Sequence, residues 1–157
     1  MITVREQCFA QRNPIYKDVN KCKEIINGYQ SRLKPAESLE DNARYWGCHE
    51  VIDTNQTGYN KTSRKGVVFR LHVAACTAHN GVVITDGTDF KEMRTASHIC
   101  QNAKCINPEH LCWETMSYNI SRKFCYGYAK CGNDVGPNVI CKHNPRCMTT
   151  MPVEHWW

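Results

Sequence analysis

The chain has 157 residues and 41% apolar content, enough for one domain with a real core, which excludes a disordered tail or a fibrous repeat. Charged residues make up 22%, and 20 Lys and Arg against 15 Asp and Glu leave a net charge of +5, basic but not extreme. No apolar run reaches the roughly 18 residues that cross a bilayer, so no membrane partner is expected. The start, MITVREQCFAQRN, is broken by Arg5, Glu6 and Arg12 where a secretory core would lie, so the expected location is intracellular, and nuclear in a eukaryote. Eleven cysteines in a reducing compartment then need a reason other than disulfides, and their odd number weakens a disulfide framework further. The sequons at Asn55, Asn60 and Asn119 carry weight only in an exported chain. Metal binding is the leading reading.

In chain order, residues 1–46 form a helical preface. Val19, Cys22, Ile25, Ile26, Tyr29 and Leu33 keep one face of a 3.6-residue period apolar, which predicts an amphipathic helix from Lys17 to Leu33. A second short helix is expected from Pro35 to Trp46, with acidic residues in its early turns. From Gly47 to Arg70 the texture becomes Val, Ile, Thr, Tyr and Asn punctuated by Gly58 and Gly66, which suits short strands and turns. Its end is basic, with Lys61, Arg64, Lys65 and Arg70 and no acid. Such a run is either a solvated strand edge or a contact for nucleic acid, and charge alone does not separate the two. Phe69 to Ala78 predicts a buried helix, and Val82 to Ile84 one more strand.

The densest chemistry starts at Thr95. Cys100, Cys105 and His110 follow a Cys-x4-Cys-x4-His spacing, which lets a loop turn back and aim thiolates and imidazole at one tetrahedral zinc. The fourth ligand comes either from Cys112, two residues past His110, or from the distant Cys48, and Cys48 is preferred. A second group holds Cys141, His143 and Cys147 within seven residues, with Cys125 or Cys131 for the fourth place. Both sets would be closed, with no open position for a substrate, so they are expected to staple a loop-rich half of the protein.

Between them, Met116, Ile120 and Phe124 repeat at i, i+4 and i+8, the buried stripe of a short helix, while Asn119, Arg122 and Lys123 share another face. Helix propensity gives no reason for Asn there. Together with His98 at a strand end and a second strand through His110 to Glu114, the pattern predicts a strand, strand, helix unit in which a base faces a metal ligand.

Thr-Ala-Ser-His-x-Cys, the Cys-x4-Cys-x4-His run, Asn-Pro-x-His-Leu-Cys-Trp-Glu, and an Asn five residues beyond that Glu resemble the His-Cys box homing endonucleases, a branch of the ββα-metal or His-Me finger nucleases. The resemblance is dense over residues 95–125, loose over 48–84, continues through Cys141, His143 and Cys147, and does not cover residues 1–45. With the helical preface 1–46 read above, it implies an α+β fold: a small antiparallel DNA-binding sheet and helix over 47–94, the zinc-stapled ββα-metal core over 95–125, and a second zinc site and short tail over 125–157. It further implies a site-specific double-strand DNA endonuclease. His98 stands at the position of the general base and Asn119 at that of the ligand to one catalytic Mg²⁺, for which Mn²⁺ can substitute. Arg64, with Arg70 as the alternative, stands for the arginine that contacts the phosphate. Two structural zinc ions would be held by Cys48, Cys100, Cys105 and His110, and by Cys125, Cys141, His143 and Cys147. Lys61, Arg64, Lys65, Arg70, Arg122 and Lys123 would meet DNA, with a homodimer as the working form. Two features depart from the family pattern: the longer segment from Cys125 to Cys141 with its extra Cys131, and the short run of residues after Cys147, where the family's dimer exchanges a long tail. The other functional class compatible with these residues is a zinc-stabilised DNA- or RNA-binding module without cleavage activity.

Overall fold

The computed structural model describes residues 13–40, 47–52, 61–64, 67–83, 92–123, 125 and 141–148. A 3₁₀ turn over Pro14–Lys17, capped by Asn13 Oδ1 accepting from Ile15 N at 3.1 Å, leads into helix α1, Val19–Tyr29. Asp18 Oδ1 accepts from Lys21 N at 2.9 Å and sets the helix start, so Lys17 lies before it and not inside it. Cys22, Ile25 and Ile26 form the buried stripe, each fully buried large side chain being worth about 1.5–3 kcal/mol. After a 3₁₀ turn at Gln30–Arg32, Leu33 is extended and bridges Val51, while Lys34 N donates to Glu50 O and Ile52 N to Arg32 O, both at 2.7 Å. The helix therefore ends four residues earlier than its apolar period suggests. Of the second expected helix, the described residues contain only the 3₁₀ turn Ala36–Ser38. Ser38 Oγ bonds back to Pro35 O at 2.7 Å in competition with a helical ladder, and Leu39 leaves with extended angles. Residues 41–46 lie outside the described set.

Strands β1, Lys61–Arg64, and β2, Val67–Arg70, form an antiparallel hairpin in which Lys61 faces Arg70 and Arg64 faces Val67. Helix α2, Leu71–Asn80, follows without a linker; Phe69 is still paired with Thr62, so the helix starts two residues later than the apolar run does. Leu71 through Thr77 are all buried, as expected of a helix enclosed on every side. Gly81 ends α2 with φ of 80°, a conformation that a side chain would strain, and its carbonyl accepts from Trp113 Nε1 at 2.9 Å. The expected strand over Val82–Ile84 does not form in its described part. Val82 sits in an exposed bend and Val83 has no ladder partner, because so short an apolar run has no period that separates a strand from a turn after a helix; Ile84 is outside the described residues.

Strands β3, Arg94–His98, and β4, Leu111–Thr115, form a second antiparallel pair with Ser97 opposite Cys112 and His98 opposite Leu111. Helix α3, Met116–Arg122, follows β4 directly, with Thr115 Oγ1 accepting from Tyr118 N at 3.3 Å as its cap. The architecture is α+β, with α2 at its centre between α1 and the β3–β4 pair. Tyr16, Ile25, Val51, Phe69, Leu71 and Leu111 belong to one apolar core, and Leu39 packs with Cys48, Cys100 and Cys105 in another. Cysteine thus fills the place of an aliphatic core under the loop between β3 and β4. None of the nine described cysteines is in a disulfide, and no helix among the described residues is long and apolar enough to cross a membrane.

Candidate metal centres and active site

The turn after His98 gathers the first cluster. Ile99 N donates to His110 O at 2.9 Å, Gln101 adopts φ of 56°, and Asn107 Oδ1 accepts from Glu109 N at 3.1 Å to start the turn that carries His110. Ile106 N to His49 O at 2.8 Å and Asn107 Nδ2 to Gly47 O at 2.9 Å bring in the upstream segment around Cys48. Cys48, Cys100, Cys105 and His110 then have their ligand atoms within 4.8 Å of one another, all buried. His110 Nδ1 is 3.4 Å from Cys105 Sγ and 3.7 Å from Cys48 Sγ. Tetrahedral zinc with its usual bond lengths needs sulfur and nitrogen about 3.6 Å apart, so the donor set fits that ion. Hydrogen bonds from Cys100 and Cys105 hold the Cys48 thiol far below its ordinary range, while the Cys105 thiol is pushed up to about 12 and its Sγ accepts from Asn107 N at 3.4 Å. Cys112, the other candidate for the fourth place, lies beside Glu114 Oε2 at 3.7 Å and outside the cluster.

Cys125, Cys141, His143 and Cys147 form the second cluster on the same criterion. His143 Nδ1 lies 3.3 Å from Cys141 Sγ and 3.6 Å from Cys147 Sγ. Burial works against ionisation of Cys141, yet N–H donors from Cys147 and His143 at 3.3 and 3.4 Å lower it to about 6. Ser121 Oγ donates to Tyr118 O at 2.6 Å, so at 2.8 Å it accepts from His143 Nε2 and leaves Nδ1 for a metal. Cys131 lies outside the described residues.

A cleft of about 330 Å³ is lined by Ala96, His98, Gln101, Ala103, Asn119, Arg122 and Lys123. His98 is 8% exposed, and its Nε2 is 2.9 Å from Cys105 O. A carbonyl only accepts, so Nε2 carries the proton and Nδ1 keeps a lone pair. Burial pushes the His98 pKa down to about 4 against the Cys105 bond, which raises it; the ring is neutral at pH 7. It packs at 4.9 Å on the ring of His72, itself held well below the usual imidazole range by burial. Asn119, half-buried on α3, accepts from Ser97 Oγ at 2.7 Å through Oδ1. A neutral imidazole and an amide oxygen thus share one cleft.

A family described as the zinc-binding loop region of homing endonuclease matches residues 46–156. The chain belongs to this family, the His-Cys box homing endonucleases. The match takes in both clusters and the cleft, and leaves out α1. Within this homing-endonuclease frame one expected DNA contact must be corrected: Arg122 is 1% exposed, and its Nε and Nη2 grip both oxygens of Glu114 at 2.7 and 2.8 Å. Its Nη1 donates to Pro145 O at 2.7 Å and to Cys147 Sγ at 3.3 Å, so the guanidinium is an internal brace whose donors are engaged within the protein, although the residue lines the cleft. Lys123 is exposed at the cleft edge. Lys61 and Arg64 occupy β1, although their side chains and all of Lys65 lie outside the described residues, and Arg70 is half-buried where β2 meets α2. Sequence reasoning did not single out Ser97, Gln101 or Ser121. Gln101 Nε2 donates to Arg122 O at 2.7 Å and ties the zinc loop to the end of α3, and no spacing rule marks such a bond.

Proposed function

We propose that the protein is a metal-dependent, site-specific endonuclease that hydrolyses phosphodiester bonds in double-stranded DNA, acting inside the cell as a homodimer. The observation that carries this reading is His98: its Nε2 donates to Cys105 O, which makes Nδ1 the basic nitrogen of the ring, and the residue lines the cleft that Asn119 shares. His98 Nδ1 takes a proton from water as the water oxygen attacks phosphorus. Low basicity keeps the imidazole unprotonated, hence competent, across the neutral range. Asn119 Oδ1 supplies one hard oxygen to a Mg²⁺ or Mn²⁺ ion, whose remaining places suit phosphate oxygens and water. When bound, that cation stabilises the charge developing on the phosphorane and the departing 3′ oxygen. Arg64, or else Arg70, contacts the phosphate, and Lys61, Lys65 and Lys123 neutralise the backbone nearby. The two zinc ions do not enter the chemistry; they hold the loops.

A cleavage assay on a randomised duplex library, with Mg²⁺ and then EDTA, tests the reading. Parent protein is expected to cut only with the divalent ion. His98→Ala should lose at least about 100-fold in cleavage with nearly unchanged affinity for DNA, since the base acts on water. Asn119→Ala should be strongly impaired with normal zinc content, while Asn119→Asp, which keeps an oxygen ligand, retains part of the activity. A parent that binds DNA and never cuts it would identify a zinc-stapled binding module, and a His98→Ala protein that cuts at the parental rate would remove His98 from the mechanism.

A further inference from the structure

Ser97 is 1% exposed in β3, next to the proposed base, and its hydroxyl oxygen lies 2.7 Å from Oδ1 of Asn119, 22 residues away on another element. A buried hydroxyl is costly in a strand unless it is paired, and here its partner is the side chain proposed to hold the cation. We infer that Ser97 is a positioning residue for that cation: its O–H fixes the Asn119 amide in the one of its two orientations that presents oxygen. The inference rests on the reading of Asn119 given above.

The physical case is a two-state one. A carboxamide has two nearly isosteric orientations about its last torsion, related by a half-turn that exchanges Oδ1 with Nδ2. Only Oδ1 ligates a cation; Nδ2 would offer it two N–H groups. Nothing in helix propensity selects between the orientations. Ser97 does, because with its proton aimed at Asn119 it requires an acceptor there. A carbonyl oxygen has two lone pairs, so accepting from Ser97 leaves one for the metal. One strand would thereby set both halves of the chemistry, placing the base through His98 and orienting the ligand through Ser97.

The experiment is a Mg²⁺ titration of the cleavage rate on a cut site recovered from the parent, with zinc content and melting temperature measured alongside. Ser97→Ala should raise the Mg²⁺ concentration for half-maximal rate by about 5–10-fold, the factor corresponding to one net hydrogen bond. The shift belongs to the midpoint more than to the plateau. Ser97→Thr, which keeps the hydroxyl, should restore it, and Ser97→Val, which keeps the shape of Thr without its hydroxyl, should not. The decisive arm repeats Ser97→Ala in Asn119→Asp protein. A carboxylate presents oxygen in either orientation, so the midpoint there should hardly move, whereas a merely structural Ser97 would cost the same in both backgrounds. An unshifted midpoint in Ser97→Ala and Ser97→Val, or an equal shift in the Asp background, overturns the inference while cleavage by the parent and its loss in Asn119→Ala still stand. A parent inactive at every Mg²⁺ concentration, or an Asn119→Ala protein that titrates like the parent, overturns the reading of Asn119 itself and the inference with it.

Discussion

Arg122 reaches three different groups from one buried guanidinium, and its two-pronged grip on Glu114 is the geometry in which an ion pair is strongest. Removing one partner of such a pair leaves the other charge buried, at a cost of about 3–5 kcal/mol. Arg122→Met should therefore melt well below the parent in a denaturant titration, and release the second zinc faster to a chelator, since the donor to Cys147 Sγ goes with it. In the sequence Arg122 stands beside Lys123 on a helix face, and only Lys123 proves solvated. The partner explains the difference: Glu114 is eight residues back on a strand, outside the i±3 and i±4 neighbours that helical spacing reveals. Ligand residues were easier to recognise, because three soft donors at short, regular spacing have few other uses in a chain whose described cysteines form no disulfide. The preference for Cys48 over Cys112 rests in the sequence on Cys112 lying only two residues from His110, and it is the bonding of His49 and Gly47 to the turn around Ile106 and Asn107 that brings Cys48 in.

Among the elements, α1 and the turn before it lie outside the family match but inside the packing. Tyr16 is wholly buried, and its hydroxyl accepts from Arg70 N at 2.6 Å and faces Arg70 O at 3.4 Å, gripping the residue where β2 becomes α2. Burial raises this phenol well above the usual tyrosine range, so it remains a neutral donor and acceptor at any working pH. Tyr16→Phe leaves a backbone amide without that acceptor and should cost about 1–3 kcal/mol. Amide hydrogen exchange should show the loosening first around Arg70, at the base of the hairpin. Element type was legible from period in α1, whereas α3 forms without the expected buried stripe: Ile120 is exposed, Met116 is half-buried, Phe124 lies outside the described residues, and the buried side chain of that helix is Arg122. Boundaries were not legible, since they depend on Asp18, on the Leu33–Val51 bridge and on strand pairing that extends to Phe69, and none of these alters the apolar pattern.

For the molecule as a whole, the apolar core accounts for α1, α2 and the β3–β4 pair, while the cleft depends on two metal-ready loops. Protein purified without chelator should carry two zinc ions per chain by elemental analysis. Cys105→Ser or Cys147→Ser should each lose one, with a large loss of stability, because the binding energy of structural zinc is also folding energy. The second loop holds α3 from several sides at once: Ser121 and Tyr118 meet His143, Asn144 N donates to Tyr118 OH at 2.8 Å, and Arg122 meets Pro145 and Cys147. All of its ligands are translated after Asn119. A ribosome adding about 5–20 residues each second needs a few seconds to travel from Asn119 to Cys147. During that interval α3 already has Glu114 as its charge partner, but not the strap that holds it against the cleft. Assembly of the site is therefore expected late in the life of a newly made chain, once the ligands of the second loop have followed Asn119 off the ribosome.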